Sequence, residues 1–409
     1  ISMKNCKKIK TCLACGNKNI KKILDLKKQP LANNFSKTKY KFDQEYPLIV
    51  NVCPKCIHLQ LGHCVDPKLI YKNYIYVTNN TQSYKNYLKN FSISCITKFK
   101  KNKPKTVLDI GCNDGAQLNY FKILGMETYG IDPAKNLFSI SSRKHKIICD
   151  FINKKSINKI KKKIDIILAQ NSFAHNPKPY QTLKVIKQAM HSESLLFIQT
   201  SQADMIKNNE FDTVYHEHIN FFNTKSMHLL AERAGFSLLD VYKTKVHGST
   251  YVFVLKIKTQ TQQMLNTKIK KTIKTERFLN LNKCKKWSLN AQKIKKRLIA
   301  EIAKARKTSQ KIIGYGASAK GNTLLNFSKI NLDYIVDDNP LKQNTFTPGM
   351  RIPVKSRKSL TTLKKNKKVT FLLLVWSNIY KEIRIKIKKA RNSKKDRFIS
   401  FFPKVVTLK

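Results

Sequence analysis

Apolar positions in the first half of the chain alternate between strand-like and helix-like spacing. Residues 107–110 form a largely apolar run that ends in a glycine turn, and a pattern of helical period follows it. Three further runs have the length of strands, at residues 127–131, 164–169 and 195–199. The second of these is almost continuously apolar, which is typical of a central parallel strand. The pattern predicts an α/β fold with a doubly wound sheet, whose ligand crevice lies at the carboxyl ends of the strands.

A second alternation occupies the C-terminal part. Residues 249–313 contain neither glycine nor proline, and apolar side chains recur there every three or four residues, at Trp287, Ala291, Ile294, Leu298, Ile302 and Ala305. This stripe predicts a basic amphipathic helix that packs on a core. Strand-like runs follow at residues 311–313, 334–336 and 369–376. We therefore predict three domains, at residues 1–70, 71–250 and 251–409. The last of them is a second, smaller Rossmann-like domain.

The charge of the chain raises the question of a polyanionic partner. Its 409 residues include 81 Lys and Arg against 24 Asp and Glu, which gives a formal net charge of +57. Such a charge favours RNA binding, but the lysines are spread along the whole chain instead of lying with aromatic residues on one segment. Because Lys, Asn and Ile are all abundant, we interpret the charge mainly as the drift of an A+T-rich genome. The pattern therefore disfavours a nucleic-acid partner, although the charge of +57 does not exclude one.

Targeting signals are not evident in the sequence. No apolar run approaches the roughly 18 residues of a membrane span, and the first residues have no signal-peptide core. Ten cysteines in such a chain indicate reduced thiols or metal ligands. The protein is therefore expected to be cytoplasmic, to have no membrane partner and to act as a monomer.

The glycine turn after residues 107–110 carries acidic side chains where a dinucleotide-binding loop would present bare backbone N–H groups. Asp109 and Asp114 would repel a diphosphate, but they suit the ammonium and sulfonium groups of S-adenosylmethionine (SAM). Asp132 ends the next strand, where it can hold a ribose hydroxyl. The arrangement resembles the SAM site of class I methyltransferases, which implies an adenine contact at Asp150. The expected cofactor-binding residues are Asp109, Gly111, Asn113, Asp114, Gly115, Asp132, Asp150 and Asn171.

Two C-x-x-C pairs near the N-terminus predict a metal site. Cys12 and Cys15 form one pair, and Cys53 and Cys56 form the other, so that together they offer four thiolates to one tetrahedral Zn²⁺. The gap between the pairs is wider than in usual zinc ribbons and requires an intervening loop. Four protein ligands leave no open coordination position, so the zinc is expected to be structural. Nearby alternatives without the paired spacing are Cys6, His58, His63 and Cys64.

Four polar or ionisable side chains stand in a row before an apolar stretch, at Tyr215, His216, Glu217 and His218. On a strand they would alternate between two faces, whereas on a turn they could converge. A carboxylate beside an imidazole can hold its tautomer and raise its basicity, which favours a general base. A structural role and a metal site also stay open, although no third metal ligand is evident. His175 follows a central strand and is expected in the crevice, where a structural histidine is equally compatible.

The loop that starts at Gly314 has the opposite chemistry to the first glycine turn. It contains Gly316, Ser318 and Lys320 but no acidic residue, so it suits phosphate groups. The loop departs from G-x-G-x-x-G by two additional residues before its third glycine, so the pattern gives little support to an NAD site. The strand that follows ends in Asp337.

The order of these features resembles the NDP-hexose C-3 methyltransferases. These are three-domain enzymes that methylate C3 of a 4-keto deoxysugar nucleotide. The resemblance covers essentially the whole chain. Its most specific pieces are residues 30–35, 215–218, 314–322, 338–343 and 347–349.

This resemblance implies that His218 is the base and that Tyr215 and Glu217 belong to the active site. It also implies that His175 and Tyr76 lie near the substrate. The C-terminal domain would then help to hold the sugar nucleotide, through Gly314, Gly316, Ser318, Lys320, Asn322 and Asp337. Two other hypotheses stay open, because the strong positive charge is unlike the usual balance of the family. They are an RNA methyltransferase and a non-catalytic protein that binds SAM or a sugar nucleotide.

Overall fold

The N-terminal unit is built on antiparallel strands. The computed structural model describes residues 5–71, 82–99, 102–201, 204–246, 248–259 and 266–408. The elements of this unit are β1 (Cys6–Lys8), β2 (Lys21–Pro30), β3 (Glu45–Val52), β4 (Leu59–Leu61), β5 (His63–Val65) and α1 (Pro67–Tyr71). β1 pairs with β5, while β2, β3 and β4 form one sheet. Leu24 and Leu26 of β2 are buried together with Leu48 and Val50 of β3, as the two-residue period of a strand requires.

The central unit is a seven-stranded sheet whose strands alternate with helices. Its elements are α2 (Gln82–Ile96), β6 (Thr106–Ile110), α3 (Ala116–Ile123), β7 (Glu127–Ile131), α4 (Lys135–Ser141), β8 (Lys146–Ile148), α5 (Lys154–Asn158), β9 (Ile164–Gln170), α6 (Pro179–Lys187), β10 (Met190–Thr200), β11 (Asn220–Phe221), α7 (Thr224–Ala234), β12 (Phe236–Thr244), β13 (Thr250–Ile257) and α8 (Thr267–Thr275). Five parallel strands have the order β10-β9-β6-β7-β8, and β13 lies antiparallel between β10 and β12. The predicted doubly wound sheet is confirmed, and its chain order reverses between β6 and β9.

The C-terminal unit repeats this architecture. Its elements are α9 (Leu281–Thr308), β14 (Lys311–Tyr315), α10 (Ala319–Ser328), β15 (Tyr334–Val336), β16 (Thr345–Phe346), β17 (Pro353–Lys355), β18 (Val369–Leu373), α11 (Tyr380–Arg391), β19 (Arg397–Ser400) and β20 (Val406–Leu408). Parallel strands β17-β15-β14-β18-β19 form the middle of a seven-stranded sheet, and an antiparallel strand closes each edge. The predicted Rossmann-like character of this part is therefore confirmed. Its chain order reverses between β14 and β18.

Helix α9 carries the predicted apolar stripe on one face. The stripe from Trp287 to Ala305 is buried, whereas Lys293, Lys296 and Lys304 between these positions are exposed. The buried face packs into a core that includes Leu24 of β2 and Ile312 of β14, so that α9 joins the N-terminal and C-terminal sheets. In the described part of the chain, neither α9 nor any other helix is long and apolar enough to cross a membrane.

The three units are interlocked along the chain. β11 belongs to the central segment but pairs with β4 of the N-terminal sheet. The predicted boundary at residue 250 falls at the first residue of β13, and this strand fills the place between β10 and β12. The central unit therefore extends at least to Ile257, and α8 packs on β12 beyond it.

Candidate active site

A cavity of about 720 Å³ opens at the carboxyl ends of β6 and β9. This is the position at which the chain order of the central sheet reverses, where doubly wound sheets bind their ligands. Among the described residues, the cavity walls come from all three units. Asn33 belongs to the N-terminal unit, Tyr215, Glu217 and His218 to the central unit, and Ser318 to the C-terminal unit. The glycine turn after β6 forms one side of the cavity, which we call the cofactor side. The loop after β14 forms a second side.

The glycine turn after β6 forms the cofactor side. Gly111 has a φ of +79°, and a Cβ atom there would lie 2.5 Å from Cβ of Ser172, so a larger residue does not fit. Asp132, at the end of β7, fixes the turn through its carboxylate. This group accepts the N–H of Asn113 at 2.8 Å and the N–H of Ala134 at 2.8 Å. Gly111, Asn113 and Asp132 all line the cavity, as predicted.

Two buried oxygen atoms on the cofactor side fit the polar groups of SAM. Among the described residues, Oδ1 of Asp109 and Oδ1 of Asn171 are buried without a hydrogen-bond partner, and both residues line the cavity. Burial, together with the nearby Asp132 carboxylate, raises the pKa of Asp109 to about 8. A cationic ligand would favour its charged form and lower that pKa again. Asp150 lines the same side, and its carboxylate accepts the N–H of Phe151 at 2.7 Å.

Asp114 and Gly115 do not belong to the described cavity wall. The Asp114 carboxylate accepts the N–H of Ala116 at 3.2 Å, at the start of α3. Gly115 has a φ of +80° and faces His145 Cδ2, which would lie 2.9 Å from an added Cβ atom. These two residues bend the chain from β6 into α3, so the structure does not bring them to the cofactor side.

Residues 215–218 form a turn, which is closed by a hydrogen bond from the N–H of His218 to the carbonyl of Tyr215 at 2.9 Å. Nδ1 of His218 lies 2.7 Å from the carbonyl oxygen of Thr213, and Nε2 lies 2.7 Å from the hydroxyl of Tyr215. Because a carbonyl oxygen only accepts, Nδ1 carries the proton and Nε2 accepts from Tyr215. This is the tautomer of an imidazole that acts as a base through Nε2.

Glu217 is held by a residue from the N-terminal unit. Its Oε1 accepts a hydrogen bond from Nδ2 of Asn33 at 2.6 Å, across 184 positions of sequence. The neighbouring carbonyl of Ala32 accepts from Nδ2 of Asn322 on α10 at 2.7 Å. The loop at residues 30–35 is thus fixed to the C-terminal unit and contacts the carboxylate of the site. Asn33 is not among the predicted site residues, although it lies in one of the stretches that carry the family resemblance.

His175 lies in a stack of rings beside His218. Its ring centroid is 5.2 Å from that of His218 and 5.8 Å from that of Tyr71, with interplanar angles of 27° and 11°. Burial lowers the pKa of His175 to about 4, so the ring is neutral near neutral pH. A neutral imidazole can donate one hydrogen bond and accept another. Tyr76, which is also expected near the substrate, lies outside the described residues.

His216 has a different environment from its neighbours in the turn. Its Nε2–H donates to the carbonyl of Tyr46 at 3.2 Å, and burial lowers its pKa to about 4. In the part of the chain that the structure describes, the group of side chains able to hold a metal consists of four cysteines and contains neither His216 nor His218. The described residues thus offer no third ligand beside the His-x-His pattern.

The second glycine loop brings Ser318 and Lys320 to the cavity. Ser318 caps α10 by accepting the N–H of Gly321 at 3.0 Å. Nζ of Lys320 forms an ion pair with Asp212 Oδ1 at 2.8 Å and lies 3.8 Å from the ring centroid of Trp376. The charge of Lys320 is thus balanced inside the protein, which weakens its predicted role as a phosphate ligand.

The other residues predicted to bind substrate build this loop and are not part of the described cavity wall. Asp337 accepts the N–H of Ala317 at 2.7 Å, and Asn322 holds the loop of the N-terminal unit. Gly316 turns the chain with a φ of +95°, and Gly314 packs closely against the end of β18. They hold the loop in shape and do not face the cavity themselves.

Two side chains that the sequence did not single out complete this side of the cavity, namely Lys342 and Trp376. Nζ of Lys342 donates to the carbonyl of Ala317 at 2.8 Å. Burial lowers the pKa of Lys342, while Asp337 and Glu217 raise it from a distance. Lys342 lies in one of the stretches that carry the family resemblance, five positions after Asp337, and this position is the signal that could have identified it.

The four predicted zinc ligands come together in the N-terminal unit. Sγ of Cys12 lies 3.6 Å from that of Cys56, and Sγ of Cys15 lies 3.5 Å from that of Cys53. All four sulfur atoms lie within 4.8 Å of one another. Zn–S bonds of about 2.3 Å in a tetrahedron place sulfur atoms about 3.8 Å apart, so these residues fit one Zn²⁺ with a closed coordination sphere. His58 instead contacts Asn220 Oδ1 at 3.2 Å.

Three family models match the chain in order. They are a zinc binding domain at residues 12–71, a methyltransferase domain at 84–241 and a C-methyltransferase C-terminal domain at 245–403. Together these matches support a SAM-dependent C-methyltransferase. The predicted fold class, the SAM cofactor and the structural zinc of this C-methyltransferase are thereby confirmed.

Individual relatives were also found. The C-methyltransferase NovU of Streptomyces niveus is 24% identical over 359 residues, which is 85% of each chain. A tRNA U34 carboxymethyltransferase of Aliarcobacter butzleri is 25% identical over 222 residues, which cover 51% of the C-methyltransferase described here and 68% of that protein. Among solved structures, a SAM-dependent methyltransferase from Clostridium acetobutylicum matches with a TM-score of 0.35 and 11% identity, over 44% of this chain and 94% of its own.

Proposed function

We propose that this C-methyltransferase removes the proton from C3 of a 4-keto deoxysugar nucleotide and methylates that carbon. The observation that carries the proposal is the orientation of His218. Its Nδ1–H donates to the Thr213 carbonyl, and its Nε2 accepts from the Tyr215 hydroxyl. Both side chains line the same cavity as the glycine turn of the cofactor side. A ketone acidifies the neighbouring C–H, so an oriented neutral imidazole is a suitable base. Bound SAM supplies an electrophilic methyl group.

The proton would pass from C3 to Nε2 of His218, while Nδ1–H stays on the carbonyl of Thr213. In the structure, Nε2 of His218 is hydrogen-bonded to the Tyr215 hydroxyl. The substrate must therefore displace this hydroxyl or transfer its proton to Nε2 through the hydroxyl group. Once displaced, the hydroxyl can donate to the C4 oxygen, where the enolate charge develops. A preorganised donor of this kind contributes about 3 kcal/mol to the transition state. Glu217 would stabilise the imidazolium, and the neutral ring of His175 offers a second donor to the oxygen.

The nucleotide part of the substrate would lie on the side formed by the second glycine loop. Lys342 supports this placement, because its ammonium faces the cavity and, among the described residues, is influenced by Glu217 and Asp337 only at a distance. The N-terminus of α10, next to Ser318, adds the positive end of a helix dipole. The Trp376 side chain lines the same side of the cavity.

The base assignment is tested with His218→Asn and a 4-keto deoxysugar nucleotide deuterated at C3. We expect deuterium washout and methyl transfer to fall together, by at least about 100-fold, because general base catalysis is lost. Binding of S-adenosylhomocysteine should be unchanged. His216→Gln is the control, because His216 has its own contacts away from this reaction. Washout at the normal rate in His218→Asn would exclude His218 as the base.

The acceptor class is tested separately, by a thermal-shift screen of sugar nucleotides with S-adenosylhomocysteine present. A ligand that binds only the folded protein raises the unfolding temperature, and at a fixed concentration a tighter ligand raises it further, so the correct head group should stand out. The net charge of +57 and the similarity to a tRNA-modifying enzyme make RNA the second candidate acceptor. Methylated RNA, together with binding that weakens steeply with salt, would replace the sugar proposal. Ligand binding without turnover of any acceptor would favour the non-catalytic hypothesis.

A further inference from the structure

A buried ion pair joins the C-terminal unit to the segment that leads into the 215–218 turn. Nζ of Lys320 lies 2.8 Å from Oδ1 of Asp212, and the two side chains are only 6% and 1% exposed. Both charges have left water, so each depends on the other, and breaking such a pair is far more damaging than breaking one at the surface. The position of Asp212 is therefore set by α10.

The residue after Asp212 is the one that orients the base. The carbonyl of Thr213 accepts Nδ1–H of His218 at 2.7 Å. The next carbonyl, of Val214, accepts a hydrogen bond from the Thr323 hydroxyl on α10 at 3.3 Å. Helix α10 thus holds the chain on both sides of Thr213, through the side chain of Asp212 and the backbone of Val214.

We propose that Lys320 is a positioning residue that acts through Asp212 to keep the Thr213 carbonyl on Nδ1 of His218. Without this ion pair, the side chain of residue 212 is no longer anchored to α10. The peptide between residues 212 and 213 would rotate with it, so Nδ1 would lose its acceptor. The imidazole would then populate its other tautomer, in which Nε2 carries the proton and has no lone pair for a substrate.

This proposal rests on the proposed function only in its kinetic consequence, because the tautomer of His218 is a property of the protein itself. The competing interpretation is that Lys320 binds a substrate phosphate. A phosphate ligand acts mainly on binding and raises KM, whereas a residue that orients the base acts on kcat. Lys342 provides the comparison within the same cavity, since it faces the cavity without an ion pair among the described residues.

The direct test is the ¹⁵N spectrum of the full-length protein labelled at histidine and bound to S-adenosylhomocysteine, in which His218→Asn identifies the signals of His218. The unmodified protein should show the Nδ1–H tautomer. Lys320→Met should show both tautomers, and so should Lys320→Met/Asp212→Asn, in which no unpaired Asp212 carboxylate is left to destabilise the fold. Asp396→Asn is the control, because it weakens another buried ion pair of the same unit, with Arg391, remote from the base. A pure Nδ1–H signal in the double variant would overturn the proposal.

Kinetics with the accepted substrate give the second readout. In the double variant, kcat should fall by at least about tenfold with KM within about threefold, whereas Lys342→Met should mainly raise KM. A raised KM at unchanged kcat in the double variant would instead identify Lys320 as a phosphate ligand and overturn the proposal. If His218 is not the base, the tautomer shift persists while kcat does not follow it. That pattern would contradict the proposed function and leave the positioning of His218 intact.

Discussion

Two histidines that are two residues apart have opposite environments in this site. His218 meets Tyr215 in the cavity, while His216 is enclosed by protein and donates to the Tyr46 carbonyl. Both side chains are buried, but only the first faces space that a substrate can enter. The turn at residues 215–218 produces this divergence, because neighbouring side chains on a turn leave the backbone in different directions. His216 therefore contributes to stability and to its pH dependence.

The stability of the protein should fall as the pH drops from 6.5 to about 4. Burial lowers the pKa of His216 from 6.5 to about 4. Between pH 6.5 and pH 4, this histidine is therefore protonated in the unfolded chain but stays neutral in the folded protein. The full effect corresponds to about 3 kcal/mol. His216→Gln keeps a donor for the Tyr46 carbonyl but cannot titrate. Urea unfolding between pH 4 and pH 7 should show a weaker pH dependence for this variant, and an equal dependence would refute the explanation.

At the scale of elements, the site depends on how β14 enters α10. Gly316 makes the turn with a φ of +95°, and a Cβ atom there would lie 2.4 Å from Cγ1 of Val375 and 3.2 Å from the carbonyl oxygen of Leu374. The same helix then presents Lys320 to Asp212 and Asn322 to Ala32. A small shift at the start of α10 would therefore move two loops that belong to other units.

Gly316→Ala should destabilise the protein by about 2 to 4 kcal/mol, because it combines backbone strain with a steric clash. Gly125→Ala is the matched control, since Gly125 has a φ of +84° but nothing within 4 Å of an added Cβ atom. The control should show only the conformational part, about 1 to 2 kcal/mol. Both are measured by urea unfolding. Equal losses in the two variants would show that packing at Gly316 is unimportant.

The elements that the sequence predicted are those whose signal is local. β6, β9 and α9 follow from apolar runs and helical spacing, and the four cysteines follow from their paired spacing. The partners of the site residues could not be predicted, because they depend on contacts between distant segments. The sequence suggested that Glu217 orients the imidazole, but the Thr213 carbonyl holds Nδ1, and Glu217 contacts Asn33. Likewise, nothing near Lys320 in sequence indicates that Asp212, 108 positions away, balances its charge.

The whole molecule is organised around a cavity that none of its units encloses alone. The zinc-binding unit supplies Asn33, which lies in the loop between the two cysteine pairs. Its sheet also takes up β11, which starts directly after the 215–218 turn. The cysteine cluster therefore stabilises more than its own unit, because both the loop and the turn are attached to the same small sheet.

Removing the zinc should therefore lower both stability and activity. We expect metal analysis to give one zinc per chain, Cys56→Ser to lose most of it, and the melting temperature to fall on the order of 10 °C. Cys64→Ser is the control, because Cys64 is a thiol of the same unit outside the four-sulfur cluster. A zinc content well below one per chain in the unmodified protein, or an equal loss from Cys64→Ser, would contradict this assignment.

The hydrogen bond from Asn33 to Glu217 also bears on how such an enzyme can change during evolution. The carboxylate of Glu217 is held by a residue 184 positions away, in a loop that supplies none of the four clustered cysteines. Recombination that exchanged the first 70 residues for those of a distant relative would preserve every domain and still disturb the site. New acceptor specificities in this architecture should therefore arise by substitutions within one intact chain more readily than by shuffling its parts.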